Sequence, residues 1–193
     1  MKLAIIDLDG VICNVDARFA QAEEVKQAYI KQTGGYPYYD EREATNVYWR
    51  AVFDPAQVPK DTLIDGVNEA LLSVQEAGYK VIFLTSRPES MRDATAHWLF
   101  EHTVYDSDDE LVMKLSAFQY VKTTVWKAGM VQTLEALYGA TDLLIIDDEQ
   151  VNINEHLKYF SNVQTRELCR SLAEAVAKLN GTWVEPDPFA PEF

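Results

Sequence analysis

The sequence predicts an α/β protein: a doubly wound parallel sheet with helices on both faces and a small helical insert near the N-terminus. Three observations predict it. Short, continuous apolar runs recur along the chain, as in strands buried on both faces. Segments with apolar residues at helical spacing lie between them, and strands alternating with helices pair in parallel through right-handed crossovers. Residues 11–64 break this rhythm and read as an insert.

LAIIDL (3–8) is the first expected strand. In the insert, AQAEEVKQAYIKQ is expected as a helix closed by Gly34-Gly35, GGYPYYDE as a turn or loop, and VYWRAVF as a second, short helix. Val67, Ala70, Leu71 and Val74 repeat at helical spacing, and Gly78 stops that helix. KVIFLTS (80–86) is the next buried strand, followed by a helix with Met91, Ala94, Thr95, Trp98 and Leu99 on one face. A weaker strand is expected near Val104 or at Leu111–Met113. Met130, Val131, Leu134 and Leu137 mark a helix ended by Gly139, and DLLIIDD (142–148) a third long strand. Another weak strand is expected near Val163, then a last helix carrying Leu168, Leu172, Ala175, Val176 and Leu179 and ended by Gly181. The acidic tail EPDPFAPEF reads as an unstructured end or a surface strap. With no repeats or long linkers, residues 1–193 are expected to form one domain, with the insert at about 14–62.

Composition narrows the function. The apolar share of 48% and charged share of 25% are those of a globular protein. No run approaches the ~20 apolar residues of a membrane span. Lys2 precedes LAII, but that stretch ends at Asp7, too soon for a secretory leader, so a cytoplasmic protein with no membrane partner is expected. Cys13 and Cys169 make neither a disulfide framework nor a metal cluster and read as buried filler. A net charge of −14 argues against a broad grip on nucleic-acid duplexes. GxxxxGK[ST] is absent, so no P-loop nucleotide site is expected.

Three strand ends share a property. They carry Asp7 and Asp9, then Thr85-Ser86-Arg87, then Asp147-Asp148. Open parallel sheets bind ligands beyond the carboxyl ends of their strands. The three groups are therefore expected around one crevice. Carboxylates packed together raise each other's pKa and need a counter-charge, for which Mg²⁺ with oxygen ligands is suited. One carboxylate as nucleophile and a second as proton carrier divides the work of phosphoryl transfer. Arg18, Arg87 and Lys127 form the expected anion-binding set, with Ser86 and Gly10 beside it. Tyr36, Tyr38, Tyr39, Tyr48 and Trp49 lie in the insert, where they either form its core or stack on a base. His97, His102 and His156 lack metal-ligand spacing, and no role is expected for them.

IIDLDGV, FLTSR, Lys127 and IIDD stand in an order and spacing that resembles the haloacid-dehalogenase-like phosphatase superfamily. The resemblance implies a Rossmann-like core with a small helical cap. It implies that Asp7 attacks phosphorus to form an aspartyl phosphate, and that Asp9 acts as general acid and then as base. Thr85 would hydrogen-bond the transferring group, and Lys127 would bridge nucleophile and phosphate. Asp147 and Asp148 would hold Mg²⁺ with Asp7 and the Asp9 carbonyl. Asp9 points to the phosphatases within that superfamily, because members that cleave carbon–halogen bonds lack this second Asp.

GYKVIFLTSRPESMRDATAHWLFEH, LVMK, VWKAGMVQTL and VYWRAVFDPAQVPKDTLIDGV further resemble the 3′-phosphatase domain of bacteriophage-type polynucleotide kinases. Arg87 two residues after Thr85, the Trp98-Leu99 pair and Met113-Lys114, where that group has Met-Arg, carry this closer resemblance. It implies a nucleotide or a nucleic-acid 3′ end as the phosphorylated partner. The acidic composition and lone domain support a small-molecule phosphatase instead, acting on 5′-nucleotides or sugar phosphates. A phosphate-storing receiver domain would carry its reactive Asp on a later strand, where this chain has Thr85. A non-catalytic phosphate-binding module would not need the full set of Asp7, Asp9, Thr85, Lys127 and Asp147.

Overall fold

The computed structural model describes residues 1–35, 38–106, 109–159 and 163–185. Its centre is β1 (Lys2–Ile6), flanked by β4 (Tyr79–Pro88) on one side and β6 (Asp142–Ile146) on the other. β5 (Glu110–Lys114) and β7 (Thr165–Cys169) complete a five-stranded parallel sheet of order β5-β4-β1-β6-β7. Chain order reverses across β1, the point where such sheets open a crevice.

Side chains of β1 alternate between two cores, as the two-residue strand period requires. Ala4 and Ile6 join Phe83, Leu144, Trp98 and Leu172 on one face. Leu3 and Ile5 join Ile82, Leu84, Ile145 and Val131 on the other. The first core is covered by α3 (Val67–Glu76), α4 (Arg92–His102) and α7 (Leu172–Leu179), the second by α5 (Thr123–Tyr138). Continuous apolar strands follow directly from this double coverage.

The insert leaves and re-enters the core through a two-rung antiparallel ladder. β2 (Cys13–Asn14) pairs with β3 (Thr62–Leu63), Cys13 opposite Leu63. Between them α1 (Asp16–Gln32) packs along α2 (Glu41–Val52), and a 3₁₀ stretch over Pro55–Lys60 returns the chain. Asp40 caps α2 by accepting from the Arg42 and Glu43 backbone N–H groups at 2.9 and 3.2 Å.

Some elements differ from the sequence reading. The weak strand is β5 at Glu110–Lys114, and Val104 lies in the loop before it. Leu168 belongs to β7 and not to the last helix, which begins only at Leu172 after Ser171 caps it. The strand expected near Val163 starts at Thr165. α6 (Gln150–Leu157) was not anticipated, because QVNINEHL carries too few apolar residues to show a helical face. Tyr36 and all of the proline-rich tail except Glu185 fall outside the described residues. Cys13 and Cys169 are free and buried. Among the described residues, no helix is long and apolar enough to cross a membrane.

Candidate active site

In-register pairing places the three strand tips side by side. Ile6 is opposite Phe83 of β4 and Ile146 of β6, and the Asp7 N–H donates to the Ile146 carbonyl at 2.9 Å. Asp7 and Asp147 therefore leave adjacent strands at the same level. Lys127, on the first turns of α5, reaches between them. Its Nζ lies 2.6 Å from Asp7 Oδ2 and 2.7 Å from Asp147 Oδ2. All three side chains are almost wholly buried.

Asp148 completes the group. One oxygen from each of Asp7, Asp147 and Asp148 can be chosen so that all three lie within 4.8 Å of one another. Three carboxylates and one ammonium leave a formal charge of −2, and every donor is a hard oxygen. That composition fits a divalent cation such as Mg²⁺. Burial, reinforced by Asp147 and Asp9 against the pull of Lys127, pushes the Asp7 carboxyl up to about 7. Burial opposes the Lys127 ammonium, yet Asp7 and Asp147 outweigh it and raise its pKa. Burial, with Asp147 next, also pushes Asp148 up.

Asp147 is held from a second side by α6. The Asn152 amide donates to Asp147 Oδ1 at 2.8 Å and Oδ2 at 3.0 Å, and the Glu149 N–H donates to Oδ1 at 3.1 Å. Gly10 closes the tight turn after Asp9 with φ +83°, and its backbone lies directly under the Asp148 carboxylate.

Asp9 belongs to a different network. Its Oδ1 accepts from Arg87 Nε at 2.9 Å and lies 3.1 Å from Arg18 Nη2. The same two guanidiniums hold Asp61: Arg18 Nε at 3.1 Å from Oδ1, and Arg87 Nη2 at 2.7 Å from Oδ2. Arg18 also donates to the Val52 carbonyl, and Arg87 to Thr95 Oγ1. Trp98 Nε1 donates to the Asp61 carbonyl at 3.0 Å. Burial pushes the Asp9 carboxyl up, but Arg87 and then Arg18 more than offset it and hold it below the ordinary carboxylate value. Among the described residues no hydrogen bond reaches Asp9 Oδ2, and the side chain stays 26% exposed toward the crevice.

The crevice is a cavity of about 1030 Å³ between the sheet tips and the insert. Asp7, Asp9, Gly10, Ser86, Lys127 and Asp148 line it, as do Phe19, Trp49 and Phe53 of the insert. The structure thus brings together Asp7, Lys127, Asp147 and Asp148, with Gly10 and Ser86 alongside. Thr85 sits buried at the β4 tip, its hydroxyl accepting from the Arg87 N–H at 3.2 Å. Arg18 and Arg87, expected to bind substrate phosphate, do not line the cavity. Both are at most 1% exposed, and their donors go to Asp9 and Asp61. Of the insert aromatics singled out in the sequence, Trp49 lines the cavity; Tyr48 packs edge-on against it, and Tyr38 is exposed.

Asp61 and Asn152 escaped the sequence reading. Asp61 lies in a segment already marked by resemblance, but nothing local sets it apart from other acidic residues. Asn152 lies in the first turn of α6, three residues after the Glu149 cap, and from there its amide reaches back to Asp147.

No protein-family model matches the sequence, and no curated protein sequence matches it. Solved structures do. A predicted phosphatase from Clostridium acetobutylicum superposes with a TM-score of 0.61 at 14% identity, covering 93% of this chain and 98% of that one. The haloacid dehalogenase-like family protein SP0104 from Streptococcus pneumoniae gives 0.63 at 14% identity, over 92% and 98%. A predicted phosphoglycolate phosphatase from Haemophilus somnus gives 0.62 at 14% identity, over 92% and 97%. The parallel sheet order and these superpositions agree: this chain shares the α/β fold of these structures, one of which is named as haloacid dehalogenase-like.

Proposed function

We propose that the chain is a divalent-cation-dependent phosphomonoesterase that works through an aspartyl phosphate on Asp7. One observation carries the reading: Lys127 joins Asp7 to Asp147 at the floor of a crevice that also presents Asp9 and Asp148. Asp7, Asp147 and Asp148 would hold the Mg²⁺, which when bound offsets negative charge on the transferring phosphoryl group.

Asp7 Oδ1 accepts from the Leu8 N–H at 2.8 Å, which fixes the carboxylate for attack. Lys127 keeps Asp7 and Asp147 together and supplies positive charge where the phosphoryl oxygens gather. Asp9, anchored through Oδ1 by two guanidiniums, stays ionised and offers Oδ2 to the crevice. That form takes a proton from the water that cleaves the acyl phosphate. In the preceding step Asp7 attack breaks the P–O ester bond, and the leaving oxygen takes its proton from the protonated minority form of Asp9, which the same ion pairs disfavour.

The substrate we propose is a small phosphomonoester. Among the described residues the cavity lining carries two cations, Lys114 and Lys127, against six carboxylates, which disfavours further backbone phosphates. Superposition on a structure named as a phosphoglycolate phosphatase supports a small substrate as well. A polynucleotide 3′ end is the second reading, supported by the resemblance around Arg87 and Trp98. Those two residues converge on Asp61, so an internal structural role also accounts for their presence.

The test is hydrolysis of acetyl phosphate and of a panel of phosphomonoesters with and without Mg²⁺. Asp7→Asn is expected to lower the rate by about 10⁴-fold or more. Retained activity in that variant would remove Asp7 as the nucleophile. A 3′-phosphorylated oligonucleotide outcompeting every mononucleotide would replace the small-substrate reading with the second one.

A further inference from the structure

The insert presents aromatic faces to the crevice for which the chemistry at Asp7 has no use. Trp49 and Phe53, one helical turn apart at the end of α2, stack with ring centroids 5.5 Å apart and an interplanar angle of 18°. Tyr48 meets Trp49 edge-on at 5.1 Å, and Phe19 of α1 stacks on Tyr48 at 6.4 Å. The ring faces are thereby set before any ligand arrives, which lowers the ordering cost of binding. Trp49 nevertheless remains 45% exposed. Leu115, 49% exposed, lines the same cavity from the core side.

The charged lining narrows what those faces could take. Beyond the Asp7 group, among the described residues, the cavity is lined by Asp16 and Glu89, with Lys114 as the cation, while Glu149 adds a carboxylate beside Asp148. Lys114 donates to the Val121 carbonyl at 2.7 Å, and burial holds its pKa below the ordinary lysine value. A second phosphate or a carboxylate on the substrate would meet like charge. A flat, uncharged group would meet a stacked indole and phenyl.

We infer that Trp49, backed by Phe53, is a stacking platform that selects phosphomonoesters with one phosphate and a planar heterocycle, the chemistry of a nucleoside monophosphate. The inference rests on the phosphatase reading and specifies its substrate class. Aromatic stacking on a base tolerates base identity, because every base presents a π-face. Preference among bases is therefore expected to be weak. Diphosphates, phosphorylated carboxylic acids and oligonucleotides are expected to be poorer substrates than mononucleotides.

The experiment compares kcat/KM for adenosine and uridine 3′- and 5′-monophosphates with that for glycerol phosphate and phosphoglycolate. The nucleotides are expected to be better by at least tenfold. Trp49→Ala is expected to cut the nucleotide-to-glycerol-phosphate ratio by about tenfold to a hundredfold, mostly through KM, and Trp49→Phe to restore most of it. In parallel, isothermal titration of the Asp7→Asn protein with adenosine monophosphate in Mg²⁺ reads binding without turnover, and Trp49→Ala is expected to weaken it by a similar factor. Asp7-dependent hydrolysis with no nucleotide preference, or a ratio unmoved by Trp49→Ala, overturns the platform and leaves the phosphatase reading standing. Nucleotide binding that depends on Trp49, with no Asp7-dependent hydrolysis of any ester, overturns the phosphatase reading and leaves the platform.

Discussion

Arg18 Nε lies 3.1 Å from Asp61 Oδ1, and both side chains are wholly removed from solvent. The pair spans the insert: Arg18 sits in the first turn of α1, and Asp61 ends the 3₁₀ stretch that returns the chain to the core. With Arg87 and Asp9 it makes a cluster of two cations and two anions. The cluster ties the insert to the loop after β1 and to the tip of β4.

Removing one member of such a cluster leaves an uncompensated buried charge. Arg18→Met is expected to lower the unfolding free energy by about 3–5 kcal/mol, read from urea denaturation. Adding Asp61→Asn to that variant should recover part of the loss, because the orphaned carboxylate is neutralised. A double variant as unstable as the sum of the two singles would mean that the two residues do not act as a pair.

Gly10 carries the second prediction. Its backbone is in the left-handed region, and a β-carbon there would sit 2.6 Å from Asp148 Cγ and closer still to Oδ2. Gly10→Ala must strain the turn and push the Asp148 carboxylate aside. Expected are a loss of about 1–3 kcal/mol of stability and weaker Mg²⁺ binding. A Mg²⁺-dependent rise in Tm should be large in the parent protein and reduced in the variant. An equal rise in both would show that Asp148 does not hold the ion.

Asn152 gives the third. Its amide donates to both oxygens of Asp147, and also to Glu149 Oε2 at 3.1 Å. Groups that orient metal-binding carboxylates typically contribute about tenfold to a hundredfold in affinity. Asn152→Ala is expected to weaken Mg²⁺ affinity by that factor in isothermal titration. Unchanged affinity would show that Lys127 and the Glu149 N–H orient Asp147 sufficiently by themselves.

His156 predicts a pH dependence of stability. It is 2% exposed on α6, and among the described residues its Nδ1 has no hydrogen-bond partner. Burial lowers its pKa from 6.5 to about 4; Asp147 and Glu155 pull the other way, and Arg166 and Lys127 add to the lowering. The unfolded chain therefore takes up a proton near pH 6.5, while the folded chain resists until about pH 4. The contribution of His156 to stability is complete above 6.5 and is lost as pH falls toward 4, by up to about 3 kcal/mol. Urea denaturation at pH 7 and pH 5 measures it. His156→Gln should flatten the difference, and an equally steep fall in that variant would assign the effect to other groups.

Local information was enough to mark the central strands of the sheet and the carboxylates at their tips. The apolar runs 3–8, 80–86 and 142–148 mark β1, β4 and β6 because a strand covered on both faces must be apolar throughout. Asp7, Thr85 and Asp147 follow, since parallel strands deliver their carboxyl ends to one edge. Lys127 was legible from motif order. α6 and the boundary between β7 and α7 were not, because the first lacks an apolar face and the second hides behind a shared leucine.

The chain by itself determined which residues could do phosphoryl chemistry and which edge of the sheet they would occupy; both depend on residue type and on periodicities of a few positions. Only the tertiary structure decided where the arginines went. Arg18, Asp61 and Arg87 are far apart in sequence, and a guanidinium is equally suited to phosphate and to carboxylate. Folding put two carboxylates within reach of both arginines and shut out water, where an unpaired charge costs most. The residues that resembled a phosphate grip thereby became the clamp that holds Asp9 ionised and fastens the aromatic insert over the crevice.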